Sequence, residues 1–202
     1  MNLELLYHAI DRVRGSRFES HSREATLLRT YPVLLSVARL PAPNPVDDFL
    51  RLASLAYAWM PRALRLETAH LAAAARALDV ARGAPPILPA ASIDAIAGCL
   101  GSLVGAAKVL HLANPAVFPL WDPRVERLRL QEAPSAYHMG QSSNYLRFIA
   151  EVREIAAHPL FLTFHHEYCT AYQARLQSLK IPAYPLTEPR VIESAATELA
   201  GG

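Results

Sequence analysis

The chain has 202 residues, of which 52% are hydrophobic and 19% charged, and its formal net charge is +2. This excludes a disordered chain and supplies enough apolar surface for one domain with a real core, or two small ones. The mild positive excess permits nucleic-acid binding without arguing for it, since only clustered cations would do so. Cys99 and Cys169 are the only cysteines, which makes no disulfide framework.

Taken in chain order, nearly every long segment has helical periodicity and none alternates as a strand does. The start, Met1 to His8, is amphipathic and soon meets Asp11, Arg12 and Arg14, so it does not read as a secretory signal. Arg12, Arg14 and Arg17 are mixed with Asp11 and Glu19 and read as a solvated face. Asn44-Pro45 is a cap followed by proline at the first helical position, opening a helix over Val46–Ala58. Pro61 is expected to open the next, running through the alanine-rich stretch to about Val80. Arg82–Ala91, with Gly83, Pro85, Pro86 and Pro89, is the clearest loop.

Ser92 is expected to cap a helix over Ile93–Leu112, with Asp94 in its first turn, and Asn114-Pro115 ends it. Asp122-Pro123 repeats the cap-plus-proline signal and starts a short helix towards Leu130. Two more helices are expected at about Ser143–Ala157 and Leu160–Leu179. The tail Ile181–Gly202 is weakly amphipathic and is expected to pack loosely. The fold class is therefore all-α, with about seven to nine helices of ordinary length. The Arg82–Ala91 loop is read as separating two lobes, residues 1–91 and 92–180, followed by the tail 181–202. No run approaches the roughly eighteen uncharged apolar residues of a membrane span. A cytoplasmic location without membrane contact is the expectation.

The most informative feature is lysine usage. Lys108 and Lys180 stand against eighteen arginines, and Lys108 lies within an apolar segment. A cation alone would usually be met by arginine in such a chain. Lysine differs in that its amine can lose its proton when desolvated and act as a nucleophile. Asp122 follows fourteen residues later, making Lys108 and Asp122 the pair to test. Gly98, Gly101 and Gly105 give the helix a smooth stripe for close approach, and Lys108 and His111 continue its side. The apolar run Val117 to Trp121 would fold back over the helix end and deliver Asp122.

Here the sequence resembles the helix-hairpin-helix superfamily of DNA base-excision glycosylases, with an 8-oxoguanine-glycosylase-like fold. Gly105 to Lys108 resembles that family's hairpin-to-lysine step. Pro115, Pro119, Asp122, Arg124 and Val125 resemble the segment ending in its aspartate. The resemblance covers about residues 98–158. It implies an all-α, two-lobed DNA glycosylase and lyase of base excision repair; the chain has no four-cysteine iron–sulfur loop, and no cofactor or metal is expected. Lys108 would attack the sugar C1′ and Asp122 would support the charge or shuttle protons. It also implies a flipped base held against aromatic and apolar groups. Trp121, Phe118, His111, Gly105 and Arg124 would bind substrate from one lobe and Trp59 from the other. Arg124, Arg127, Arg129, Arg147 and Arg153 would contact phosphates.

Plainer readings stand beside this one. Asp122 is a good helix cap whatever else it does. Lys108 can snorkel from an apolar helix or form a structural ion pair with Asp122. His111, Trp59 and Trp121 suit a packed core. His165 and Cys169 share a helical face, but no second spaced pair completes a zinc site. Two further functions fit an all-helical chain: a nucleic-acid-binding module that lacks the chemistry, or a protein-interaction component of a bacterial defence or toxin system.

Overall fold

The computed structural model describes residues 1–60, 62–83 and 88–201. It is all-helical, with eleven α-helices, one 3-10 turn and no strand among the described residues. The helices are α1 (Leu3–Gly15), α2 (Arg23–Ala38), α3 (Pro45–Ala58), α4 (Leu71–Arg82), α5 (Ala90–Leu100) and α6 (Leu103–Ala113). They continue with α7 (Pro123–Leu130), α8 (Ala136–Met139), α9 (Ser142–Ala156), α10 (Phe161–Ser178) and α11 (Glu188–Ala200).

Short polar residues start most of them. Asn2 accepts from the Leu5 N–H at 2.9 Å, and Ser22 from Ala25 at 3.1 Å. Asn44 accepts from Val46 and Asp47, both at 3.0 Å, and Ser102 from Gly105 at 3.1 Å. Each such cap satisfies a donor the helix leaves open, and contributes about 1 kcal/mol.

Three expectations are corrected. The segment 93–112 is not one helix capped by Ser92: Ser92 lies inside α5, and α5 and α6 meet at 113°. Gly101 takes the left-handed conformation (φ +59°) that ends a helix, and Ser102 caps the next. Pro61 lies outside the described residues, and the helix expected to run from it begins only at Leu71, after a 3-10 turn over Thr68–His70. Before that turn the Glu67 N–H reaches across to the Cys99 carbonyl of α5 at 2.8 Å, a bond that an α-helix at this point would not make. Of the loop expected at Arg82–Ala91, residues 84–87 lie outside the described ones, and Ala90 and Ala91 already belong to α5.

The tail is a further correction. Thr187 caps α11, Pro189 sits in its first turn, and Val191, Ile192, Ala195 and Ala196 are fully buried. Burying such side chains contributes about 1.5–3 kcal/mol for each Val or Ile, so this helix is held firmly and does not fray.

The buried apolar residues form one cluster, running from Leu6 through Phe49, Ile96 and Leu110 to Phe148 and Ile192. Helix α1 packs on α10 and α11, and α11 also packs on α7 and α9. Helices α3, α4, α5 and α6 pack on one another, and α2 on α3 and α6. Cys99 and Cys169 are both free. Among the described residues no single helix is long and apolar enough to cross a membrane. The α5–α6 pair is apolar enough, but it is bent and contributes buried core residues.

Candidate active site

Lys108 and Asp122 line the same cleft, which has a volume of about 310 Å³. Helix α6 supplies Lys108, and the loop after it supplies Leu120 and Trp121. Asp122 caps α7, whose first turn adds Arg124. The opposite walls are Arg23 and Glu24 at the start of α2, Trp59 at the end of α3, and Arg190 and Glu193 on α11.

Lys108 is half-buried, and no hydrogen bond or ion pair holds its amine among the described residues. Burial pushes the amine below the ordinary lysine value; the Asp122 carboxylate pulls it back up and the Arg23 guanidinium pushes it further down. Burial disfavours the ammonium because charge is poorly solvated there, and Asp122 offsets only part of that cost. The structural ion pair is therefore not what the geometry contains.

Asp122 divides its carboxylate. Oδ1 accepts from the Arg124 and Val125 N–H groups at 2.8 and 3.1 Å. Oδ2 has no protein donor among the described residues. The cap fixes the carboxylate and leaves one oxygen for a ligand.

Trp121, immediately before Asp122, is anchored from behind. Its indole N–H donates to Glu126 Oε2 at 2.8 Å, and that carboxylate also accepts from Arg129 and from His138 Nε2 at 2.6 Å. Glu126 is buried, which alone would raise its pKa, yet these three donors outweigh burial and hold the carboxyl below its usual value. Arg129 also bridges to Glu151 at 2.7 Å and lies over Phe148, so its charge is used inside the protein. Glu126 and His138 escaped the sequence reading because only folding brings positions twelve apart into contact.

Of the residues expected to bind substrate, Trp59 and Arg124 line the cleft, Trp121 borders it with its side chain fully buried, and His111, Phe118 and Gly105 do not line it. His111 is fully buried. A backbone carbonyl only accepts, so Nδ1–H donates to the Phe118 carbonyl at 2.8 Å, and Nε2 accepts from the Tyr31 hydroxyl at 2.9 Å. Burial, helped by Arg190, pushes its pKa to about 3 against the Phe118 bond. His111 is thus neutral and ties α2 and α6 to the loop that delivers Asp122. Phe118 is buried beneath that loop. At Gly105 an added Cβ would lie 3.0 Å from the Tyr57 hydroxyl, so the glycine admits a neighbouring helix and not a ligand.

The walls from α2, α10 and α11 were not anticipated. Tyr172, Arg175, Arg190, Glu193 and Glu198 line the cleft from the C-terminal helices. Arg175 pairs with Glu198 at 2.5 Å, and Arg190 pairs with Glu193 while its guanidinium lies 4.6 Å over the Tyr31 ring. These pairs cancel internally. Arg23, Lys108 and Arg124 then face Glu24 and Asp122, a slight positive excess at the mouth. A cap at Thr187 followed by apolar residues at Val191, Ile192, Ala195 and Ala196 was the available signal for α11.

Among the described residues no group of three or more His, Cys, Asp or Glu side chains is placed to hold a metal ion. His165 and Cys169 approach each other only to 3.9 Å. Compared with protein-family models, with curated proteins and with solved structures, the chain has no match.

Proposed function

We propose that the chain is a divergent helix-hairpin-helix DNA glycosylase/lyase whose nucleophile is the Lys108 amine. The observation that carries this reading is a half-buried lysine with a depressed pKa, free of any ion pair, in an open cleft with Asp122. A lysine kept only as a structural ion pair would be held by Asp122. The right-angled α5–α6 junction at Gly101-Ser102 adds support, because Lys108 then lies on the second helix of a helix–turn–helix pair.

The chemistry follows from the groups present. Asp122 Oδ2 takes a proton from the Lys108 ammonium, and the freed Nζ lone pair attacks the deoxyribose C1′. The C1′–N bond to the base breaks, its electron pair leaves with the base, and the base takes up a proton. Asp122 hands the base the proton it took from Lys108, and the carboxylate so regenerated stabilises the positive charge that develops on the sugar. Nζ then gives up a proton, its lone pair breaks the C1′–O4′ bond, O4′ takes up a proton, and an iminium is left between Nζ and C1′. The flipped base would lie against Trp59 and Leu120, with Arg23 and Arg124 at the mouth for phosphates. DNA is accordingly the proposed partner, and the cytoplasm the proposed location.

Borohydride trapping on DNA carrying an abasic site or damaged bases tests this directly. The expected outcome is a covalent adduct with the wild-type chain that is absent from Lys108→Ala. Salt-sensitive DNA binding with no adduct would move the assignment to a binding module without chemistry. Neither adduct nor binding would move it to a protein-interaction role.

A further inference from the structure

A second cavity, of about 370 Å³, adjoins the Lys108 cleft, and Arg23, Leu27 and Trp59 line both. It runs along α2, where Leu27, Thr30 and Leu34 lie about one turn apart, and its other wall is the end of α3 with Trp59 and Met60. From Arg23 to Leu34 the helix rises roughly 16 Å at 1.5 Å per residue. That is several times the roughly 3.4 Å between stacked bases of one strand. Each cavity falls at the lower end of the roughly 300–1,000 Å³ usual for a small-ligand site.

The chemistry of the second cavity differs from that of the first. Among the described residues Arg23 is its one charged wall residue; the rest are aliphatic, hydroxyl-bearing or aromatic, with Met60. Such a surface suits the faces of bases, with Arg23 at its end to meet a phosphate. Base faces are exposed only in an unpaired strand. Trp59 stands at the junction, stacked on Tyr31 at 5.6 Å, and its indole nitrogen is buried without a hydrogen-bond partner among the described residues.

We infer that the two cavities form one continuous site for single-stranded DNA. The reacting nucleotide lies at Lys108 and its neighbours run along α2 towards Leu34. This rests on the DNA-directed reading above and adds the strand class of the substrate. An unpaired strand also avoids the cost of extruding a base from a duplex.

The test uses one abasic oligonucleotide, single-stranded and annealed to its complement. Borohydride trapping and fluorescence anisotropy are run with the wild-type chain, Lys108→Ala, Leu34→Glu and Ala58→Glu. Ala58 is exposed and lines the groove, so its substitution does not disturb the core. The wild-type chain is expected to bind and trap the single strand at least about tenfold better than the duplex, the scale of losing a stacked base. Both glutamate variants should lose that preference. An adduct through Lys108 that forms equally well or better on duplex overturns the single-strand assignment and leaves the amine reading standing. A preference that survives in both glutamate variants also overturns it. No adduct with either form, together with no binding of the single strand, removes both readings; no adduct with a binding preference for the single strand removes the amine reading alone.

Discussion

Lowering the pH from about 7 to about 5 should destabilise this protein through one histidine. His111 is fully buried and has a pKa of about 3 when folded, against 6.5 for an ordinary histidine. The folded chain therefore stays unprotonated at this site while the unfolded chain takes up a proton below pH 6.5. Stability from this group is fully present above 6.5 and is lost as the pH falls towards 3. By linkage the loss at pH 5 is about 2 kcal/mol. That is a sizeable part of a total stability of about 5–15 kcal/mol, and corresponds to a drop of roughly 1 M in the urea midpoint. The assay is urea unfolding followed by far-ultraviolet circular dichroism at both pH values, for wild type and His111→Gln. Glutamine can replace one or both hydrogen bonds imperfectly, so the variant should lose about 1–3 kcal/mol near neutral pH. Its further loss on acidification should then be smaller than that of wild type by about 2 kcal/mol. Glu126 also has a depressed pKa, but its contribution disappears only below its ordinary value of 4.5 and does not intrude. Equal acid losses in the two proteins would show that the buried Tyr31–His111–Phe118 link does not hold the imidazole neutral.

Asp122→Asn should keep the α7 cap and the stability, since asparagine caps as well as aspartate, while abolishing borohydride trapping; Asp122→Ala should lose both, with about 1 kcal/mol of stability. Equal trapping by wild type and Asp122→Asn would remove the carboxylate from the mechanism. Mass spectrometry can follow amine labelling at the two lysines separately. Lys108 should react with a midpoint below 10.5, and Arg23→Gln should raise that midpoint, because Arg23 pushes the amine down. Glu126→Ala strips Trp121, Arg129 and His138 of their shared acceptor, and should cost about 3–5 kcal/mol as for a broken buried pair. An unchanged unfolding midpoint would contradict that account of the Trp121 wall. Gly105→Ala puts a methyl 3.0 Å from the Tyr57 hydroxyl, which itself donates to the Leu100 carbonyl at 3.0 Å. The strain should exceed the gain in helix propensity of about 1 kcal/mol, so a lower thermal midpoint is expected.

The all-helical class was legible in the sequence because helix signals are local. Asn44-Pro45 and Asp122-Pro123 each fix a cap and the residue after it, and α3 and α7 begin there. Asn114-Pro115 likewise ends α6. The α5–α6 break was written in Gly101-Ser102, but an apolar run on both sides hides it, since periodicity alone reads the segment as one helix. Sequence also singled out Lys108 and Asp122, through the scarcity of lysine and the Asp-Pro cap. What they face was decided elsewhere. The cleft is closed by α2 and α11, whose side chains lie about eighty residues or more from Lys108 along the chain, a distance that carries no local signal. Helical spacing placed His111 near the site and the fold-back of the 117–121 run placed Phe118 there, yet only packing determined that they point into the core. Their polar groups bond each other and Tyr31 there, because a buried imidazole and carbonyl must find partners.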